Sequence, residues 1–206
     1  MPDALSNPLL ILISAPSGGG KTTLCEQLLK AQPAMTRAVT CTTREARQGE
    51  KDGVHYYFLD AGSFLKRVQA GNFLEHATVY GNSYGTLKAE VLDKLRQGRD
   101  VLLAIDVQGA AAIRRGRRRS GIDSVTVFIL PPSWKTLEKR LRLRRDSMGS
   151  IKTRLANARG ELKEAPRYDY WIVNDRLDKA VDQVAAIIQA ERLRGSHGAD
   201  GAGLVK

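Results

Sequence analysis

Apolar residues along the chain form short runs that alternate with segments of helical spacing. Four runs, at 9–13, 101–106, 125–130 and 171–173, have the length and β-branched content of strands buried on both faces of a parallel sheet. Between them, apolar residues recur every three or four positions, as in helices with one buried face. This alternation predicts an α/β fold, with a parallel sheet flanked by helices.

The remaining elements divide the chain into a core and two inserted segments. Helical spacing predicts helices over 21–32, 64–70, 87–97, 133–145, 151–164 and 177–193. Shorter strands are predicted at 37–40, 54–59 and 73–80. The predicted units are a core from 1–39, 87–132 and 166–194, a β-rich insert at 40–86, a helical lid at 133–165 and a disordered, Gly-rich tail at 195–206.

The first apolar run leads directly into the stretch Ala15-Pro16-Ser17-Gly18-Gly19-Gly20-Lys21-Thr22-Thr23. Three consecutive glycines let the backbone curl without Cβ clashes, so that successive N–H groups point at one anion. The following helix adds partial positive charge at its N-terminus, Lys21 adds a full charge, and the Thr22 hydroxyl is a ligand for Mg²⁺. The stretch therefore predicts a site for a nucleoside triphosphate.

Composition and charge narrow the class of protein. The chain has 206 residues, a net charge of +11 and a pI near 9.9, which indicates polyanionic partners without choosing among nucleotides, nucleic acid and bulk anions. The basic cluster at 114–119 has no aromatic residue beside it for base stacking, which favours a solvated helix end or loop. Cys25 and Cys41 lack metal-ligand spacing and are expected to be buried or half-buried thiols.

The sequence also bears on location. No stretch approaches the roughly 20 apolar residues of a membrane span, and the first eight residues lack the pattern of a secretory signal. We therefore expect a cytoplasmic protein with no membrane partner.

Polar residues beyond the phosphate loop form a second pattern, Thr43-Arg44-x-x-Arg47-x-x-Glu50-x-x-Gly53-x-x-Tyr56-x-Phe58. It is followed by Glu75, Gly81-Asn82-x-Tyr84-Gly85-Thr86, Ile105-Asp106-x-Gln108-Gly109 and Ile129-Leu130-Pro131-Pro132-Ser133. In this order these motifs resemble the guanylate kinases over nearly the whole chain. The resemblance implies a P-loop nucleoside-monophosphate kinase fold and transfer of the γ-phosphoryl group of ATP to GMP or dGMP, giving ADP and GDP, in purine nucleotide metabolism.

The resemblance assigns GMP to residues of the β-rich insert and its border. These are Thr40, Arg44, Arg47, Glu50, Tyr56, Glu75, Tyr84, Thr86 and Asp106. The chemistry of the assignment is sound, because Arg44 and Arg47 can converge on one phosphate. A carboxylate such as Glu75 can accept the adjacent N1–H and N2–H₂ donors of guanine, which adenine does not present, although a solvated strand residue is the alternative reading of Glu75.

The resemblance also implies ATP as phosphoryl donor with Mg²⁺ as cofactor. It assigns ATP to Ala15, Pro16, Ser17, Gly18, Gly19, Gly20, Lys21, Thr22, Thr23 and Asn174. It assigns the metal to Thr22 and Asp106, and catalysis to Lys21, Arg44, Arg144 and Arg154. A phosphate monoester is mostly dianionic at pH 7, so no general base is required. Catalysis then reduces to placement of the two substrates and neutralisation of phosphate charge.

Several positions depart from the family pattern. Ala15 replaces the first loop glycine, Ala46 stands where proline is frequent, and Ala104 replaces an acid usually found two residues before Asp106. Of these three, the Ala104 replacement bears on the chemistry, because it removes a carboxylate near the nucleotides.

The lid departs from the family in its spacing. The link between Arg144 and Arg154 is one residue shorter than in the family, and Arg145 stands where a glycine is usual. A one-residue loss within a helix would rotate all that follows by about 100°, so we expect the loop at 146–150 to absorb it.

Three other functions share parts of these patterns. A guanylate-kinase-like interaction domain would keep the fold but has no need of an intact phosphate loop and lid arginines. A nucleotide-dependent RNA-binding protein would use the cluster at 114–119, although nucleic acid is not the partner we expect. A kinase for another small phosphorylated acceptor would share the phosphate loop. A homodimer is left open.

Overall fold

The computed structural model describes residues 8–79, 81–120, 122–143 and 148–194, with only the backbone at 117–120 and 148–150. Its core is a five-stranded parallel sheet in the order β2-β7-β1-β8-β9. The strands are β1 (Leu10–Ser14), β2 (Met35–Arg37), β7 (Asp100–Ala104), β8 (Ser124–Leu130) and β9 (Tyr170–Val173).

Strand β1 is the centre of this sheet, and every residue in it is buried. Leu10 lies opposite Val101 of β7 and Ser124 of β8. One face is covered by α1 (Lys21–Ala31) and α7 (Leu177–Arg192), and the other by α3 (Lys88–Arg96) and α4 (Val107–Ser120). Helices on both faces explain why the core strands are apolar runs without alternation.

A second, smaller sheet has the order β4-β3-β6-β5. Its strands are β3 (Thr40–Thr42), β4 (Tyr56–Phe58), β5 (Phe73–Val79) and β6 (Asn82–Leu87), with α2 (Ala61–Gln69) packed against them. The core of this unit is small, with Cys41 beside the stacked rings of Phe64 and Phe73, whose centroids are 4.6 Å apart.

Two helices, in the segment predicted to be a lid, connect β8 to β9. Helix α5 (Trp134–Arg142) begins after Ser133, whose hydroxyl accepts the Thr136 N–H as an N-cap. Helix α6 (Met148–Leu162) packs on it through a small apolar contact, and a 3₁₀ turn (Ala165–Arg167) leads back to the core sheet.

The predicted fold class is confirmed, while one predicted strand is wrong. Residues 37–40 are not one strand, because the chain leaves the core sheet after Arg37 and joins the second sheet at Thr40.

Arg114 also departs from the expected solvated cluster, since its guanidinium lies 4.8 Å from the ring centroid of Tyr168. The predicted tail at 195–206 lies outside the described residues. Within the described ranges, no helix is both long and apolar enough to cross a membrane.

Candidate active site

The residues singled out by the sequence gather at the carboxyl edge of the core sheet. The phosphate loop follows β1, Asp106 follows β7, and Asn174 follows β9. Since the strands are parallel, their carboxyl ends meet at one edge, where open α/β sheets bind ligands. Two of the cavities at this edge contain most of the residues predicted for ATP and GMP.

Left-handed glycines and a buried amide hold the phosphate loop in shape. Gly18 has φ +84° and Gly20 φ +91°, values that residues with a Cβ rarely adopt. The Asn174 side-chain amide donates to the Gly19 carbonyl at 3.2 Å, and a Cβ on Gly20 would stand 2.4 Å from that amide nitrogen. The loop conformation therefore depends on glycine and on Asn174 together.

The first cavity, here called the loop cavity, has a volume of about 570 Å³. All ten residues predicted to bind ATP line it: Ala15, Pro16, Ser17, Gly18, Gly19, Gly20, Lys21, Thr22, Thr23 and Asn174. Asp106, Arg140, Glu161 and Leu177 complete the wall. No sequence pattern pointed to Arg140, Glu161 or Leu177, because they are distant in the chain and come together through the lid and α7.

Arg140 presents an unused donor to the loop cavity. Its Nη2 donates to the Asn174 carbonyl at 3.0 Å, while Nη1 is buried and has no partner among the described residues. A buried guanidinium N–H without an acceptor is costly, so the group is well placed to receive a ligand oxygen or nitrogen.

The second cavity, here called the insert cavity, has a volume of about 310 Å³ and lies between the second sheet and the core. Six of the nine residues predicted for GMP line it: Thr40, Arg47, Tyr56, Glu75, Tyr84 and Asp106. The rest of the wall is Lys21, Arg37, Ala77, Val79, Ala104, Ile105 and Arg154. The sequence did not point to Arg37 as a site residue, because Arg37 is the last residue of a short strand with no recognisable pattern.

The other three residues predicted for GMP stand behind this wall. Arg44 Nη2 lies 2.9 Å and 3.0 Å from the two carboxylate oxygens of Glu50, and its guanidinium carbon lies 5.4 Å from the ring centroid of Tyr56. Partial burial alone would raise the pKa of Glu50, but hydrogen bonds from the Arg47 backbone and from Arg44 hold it below its ordinary value. Thr86 is buried and donates to Glu75 at 2.8 Å. These residues orient the groups that face the cavity.

Glu75 is a buried carboxyl at the floor of the insert cavity. Its residue is 6% exposed, and burial raises its pKa to about 7, with the Thr86 hydroxyl opposing the shift and Asp106 adding to it. Gly109 of α4 makes room for it, because a Cβ there would stand 2.7 Å from Glu75 Oε2. The solvated alternative for Glu75 is therefore wrong.

Lys21 is shared by both cavities and marks the point where they meet. Its Nζ donates to the Ile105 carbonyl at 2.7 Å. Burial lowers the pKa of the ammonium group, and the nearby Asp106 carboxylate offsets part of that shift. Arg154, predicted to take part in catalysis, lines the insert cavity, as Lys21 does. Arg144 lies outside the described residues.

Thr22 and Asp106 are the groups that could hold a divalent metal. Thr22 lines the loop cavity and Asp106 lines both cavities, with Asp106 Oδ1 accepting the Gly109 N–H at 2.8 Å. Hydroxyl and carboxylate oxygens suit Mg²⁺, which keeps several waters and is held by few protein ligands. Accordingly, no group of three or more His, Cys, Asp or Glu side chains that could hold a metal occurs in the described part of the chain.

The cysteines and two of the histidines stand apart from this chemistry. Cys25 and Cys41 are buried free thiols, and burial raises the pKa of each to about 11, so they are poor nucleophiles. His55 accepts the Lys51 N–H through Nδ1, and His76 is exposed on β5. Neither lines a cavity described above.

Comparisons with known proteins agree with this geometry. The family model described as guanylate kinase matches residues 7–191. The guanylate kinase of Hahella chejuensis is 46% identical over 186 residues, which cover 90% of this chain and 88% of that protein. The guanylate kinase of Syntrophotalea carbinolica is 47% identical over 191 residues, covering 92% of this chain and 89% of that protein.

A solved structure shows the same likeness in three dimensions. The crystal structure of guanylate kinase from Anaplasma phagocytophilum superposes with a TM-score of 0.79 and 32% sequence identity, covering 97% of this chain and 94% of that one. The chain therefore belongs to the guanylate kinase family, whose members are ATP:GMP phosphotransferases of the nucleoside-monophosphate kinase type.

Proposed function

We propose that this chain transfers the γ-phosphoryl group of ATP to GMP, and to dGMP, with the loop cavity holding ATP and the insert cavity holding the acceptor. The observation that carries the proposal is that the two cavities meet at Lys21 and Asp106. A donor and an acceptor bound on either side would present their phosphates to each other at that point.

On the donor side, the loop N–H groups and Lys21 bind the β- and γ-phosphates of ATP. The unpaired Nη1 of Arg140 is a further donor for the nucleotide. Thr22 and Asp106 would hold Mg²⁺, which when bound would neutralise charge on the phosphates. The glycines matter here because the backbone itself is the ligand.

On the acceptor side, Glu75 recognises the base, and positively charged side chains bind the phosphate. An ionised Glu75 accepts the N1–H and N2–H₂ groups of guanine, whereas adenine would leave the buried carboxylate without those donors. Thr40 adds a hydroxyl near the base, and Thr86 supports Glu75 from behind the wall. Arg47, Tyr56 and Tyr84 line the cavity toward the phosphate, with Arg44 held against Tyr56 by Glu50.

Transfer needs positioning more than proton movement. An oxygen of the GMP phosphate forms the new bond to the γ-phosphorus as the bond from that phosphorus to the β-phosphate oxygen breaks, so ADP leaves with the bonding electron pair. The acceptor is already dianionic near pH 7 and requires no general base. Lys21 and Arg154 neutralise the charge that spreads over the transferring group.

An acceptor panel tests this proposal. The purified protein is incubated with ATP and MgCl₂ and with GMP, dGMP, AMP, CMP or UMP in turn, and the nucleoside diphosphates are separated by ion-exchange chromatography. We expect GDP and dGDP, with kcat/KM for GMP exceeding that for AMP by roughly 10²-fold or more. Equal use of AMP, or no transfer to GMP, would contradict the proposal. A cytoplasmic location stays a prediction from the sequence, and a homodimer stays open.

A further inference from the structure

A hydrogen bond links the second lid helix to the phosphate loop. The backbone N–H of Ser17 donates to Glu161 Oε2 at 2.9 Å, although the two residues are 144 positions apart. Glu161 belongs to α6, and its side chain lines the loop cavity. A carboxylate is thus placed beside a cavity whose proposed ligand is a polyanion.

The position of the Ser17–Glu161 hydrogen bond explains how a carboxylate can lie next to a loop proposed to bind phosphate. Ser17 stands at the entrance of the loop, before the left-handed glycines at 18 and 20 around which the backbone curls. Burial raises the pKa of Glu161, and the Ser17 N–H and Lys21 oppose that shift. The Glu161 carboxylate is therefore bound by the Ser17 N–H. The N–H groups of the glycine segment and the Lys21 ammonium group remain available to bind phosphate.

Helix geometry connects Glu161 to Arg154. They are seven residues apart on α6, so their side chains leave the helix within about 20° of the same direction. Arg154 lines the insert cavity, as Lys21 does. The helix is held elsewhere by Ala158, which packs against Leu137 and Leu141 of α5. That contact joins α6 to α5, and Leu162 at the end of α6 packs against the core. The Ser17–Glu161 hydrogen bond adds a direct link from α6 to the phosphate loop.

We propose that Glu161 is a positioning residue: by accepting the Ser17 N–H it seats α6 on the phosphate loop, and so fixes Arg154 beside the transferring phosphate. The inference rests on the proposed kinase function. It assigns to Glu161 no contact with either substrate, and it predicts that the effect of Glu161 is exerted through Arg154.

Three lid variants test the role of the hydrogen bond. Glu161→Ala removes the acceptor and should lower kcat on the order of tenfold while leaving KM for GMP within about twofold. Glu161→Gln keeps a carbonyl oxygen that can accept the N–H, and should retain kcat within about threefold of the wild type. Glu138→Gln is the matched control, since Glu138 pairs with Arg142 on the surface of α5 and should not affect kinetics. A Glu161→Ala enzyme with wild-type kcat would overturn the proposal.

A double-mutant cycle identifies the route of the effect. If Glu161 acts through Arg154, the double variant Glu161→Ala with Arg154→Ala should have the same kcat as Arg154→Ala alone. Losses that multiply would overturn the assignment, because the two residues would then act separately. Tighter ATP binding in Glu161→Ala would also overturn it, because the carboxylate would then be competing with the phosphates.

Hydrogen–deuterium exchange examines the contact without relying on the reaction. In the nucleotide-free protein, the Ser17 amide should exchange at least about tenfold faster in Glu161→Ala than in the wild type, because its acceptor has been removed. Glu161→Gln should keep much of the protection. Equal exchange in all three proteins would overturn the proposal even if the wild type phosphorylates GMP, whereas a wild type that makes no GDP would contradict the proposed function alone.

Discussion

The loop cavity and the insert cavity are built in different ways. The loop cavity is formed largely by nine consecutive residues, 15–23, whose backbone shape is imposed by glycines and by the Asn174 amide. The insert cavity is formed by side chains from positions 21 to 154, and its polar groups contact partners behind the wall, as in Tyr56–Arg44 and Glu75–Thr86.

This difference has a physical reason. Phosphates are recognised by a generic set of N–H donors and positive charge, which one curled segment and a helix start can supply. A base must be distinguished from other bases, which requires side chains of defined protonation at defined places. We therefore expect substitutions in the loop cavity to impair transfer itself, and substitutions in the insert cavity to impair recognition of the acceptor.

The largest expected effect comes from Lys21, which lines both cavities together with Asp106. Lys21→Ala removes the charge beside the transferring phosphate and should lower kcat on the order of 10²-fold or more, as loss of other transition-state donors does. Lys30→Ala, an exposed lysine at the end of the same helix, is the control. Near wild-type turnover of Lys21→Ala in a coupled ADP-release assay would remove Lys21 from the mechanism.

The second expected effect separates the two cavities. In Glu75→Gln the amide can accept only one of guanine's paired donors well, and hydrogen bonds to charged groups contribute about 1.5 to 3 kcal/mol. KM for GMP should therefore rise by roughly 10- to 150-fold, with KM for ATP nearly constant. Equal rises in both KM values would show that Glu75 supports the fold and does not read the base.

The third expected effect comes from Gly109, which lies next to Glu75. A Cβ on Gly109 would stand 2.5 Å from Ile105 Cδ1 and 2.7 Å from Glu75 Oε2, so Gly109→Ala must displace one of them. We expect KM for GMP to rise about tenfold, as for loss of one good hydrogen bond. Gly116→Ala on the same helix has nothing within 4 Å of its new Cβ and should leave KM unchanged. If the two variants had the same KM for GMP, Gly109 would have no role in acceptor recognition.

The smallest expected effect is on pH dependence. With the pKa of Glu75 at about 7, the ionised fraction rises roughly tenfold between pH 6 and pH 8, and KM for GMP should fall by about that factor. The GMP phosphate, with a second pKa near 6, titrates in the same range, so the series is repeated with Glu75→Gln. An identical pH profile for both enzymes would contradict the assignment.

The same shift has a consequence for stability. The folded-state pKa of Glu75 is raised from 4.5 to about 7, so the native protein holds a proton that the unfolded chain releases between these values. The contribution of this group to the free energy of unfolding should therefore fall as pH rises from about 4.5 to about 7. Urea unfolding at pH 5 and pH 7 should show a smaller decrease in Glu75→Gln than in the wild type.

Much of the fold could be predicted because its signals are local. The apolar runs at 9–13 and 125–130 lie in β1 and β8, and the Gly-Gly-Gly-Lys-Thr stretch follows β1 as expected. The predicted strand at 37–40 was wrong because Ala38 and Val39 are buried at the passage between two sheets, and burial alone does not show where one sheet ends.

The parts of the site that could not be predicted depend on contacts between distant residues. Glu161 reaches Ser17 only once the lid has folded over the loop, and nothing near either residue in the chain indicates this. Arg140 is one of several arginines on α5, and helical spacing does not single out the one whose Nη1 is buried in the loop cavity. The role of Gly109 likewise becomes visible when β5 lies against α4.

The central claim is that the donor and acceptor sites are separate and meet at Lys21. Its most direct test is to titrate one variant of each site with both ligands. Isothermal titration calorimetry would measure the dissociation constants of GMP and of a non-hydrolysable ATP analogue with Mg²⁺ for Glu75→Gln and for Arg140→Ala. We predict that Glu75→Gln weakens GMP alone by roughly 10-fold or more, and that Arg140→Ala weakens the ATP analogue alone by a similar factor. Loss of both ligands in both variants would contradict the account.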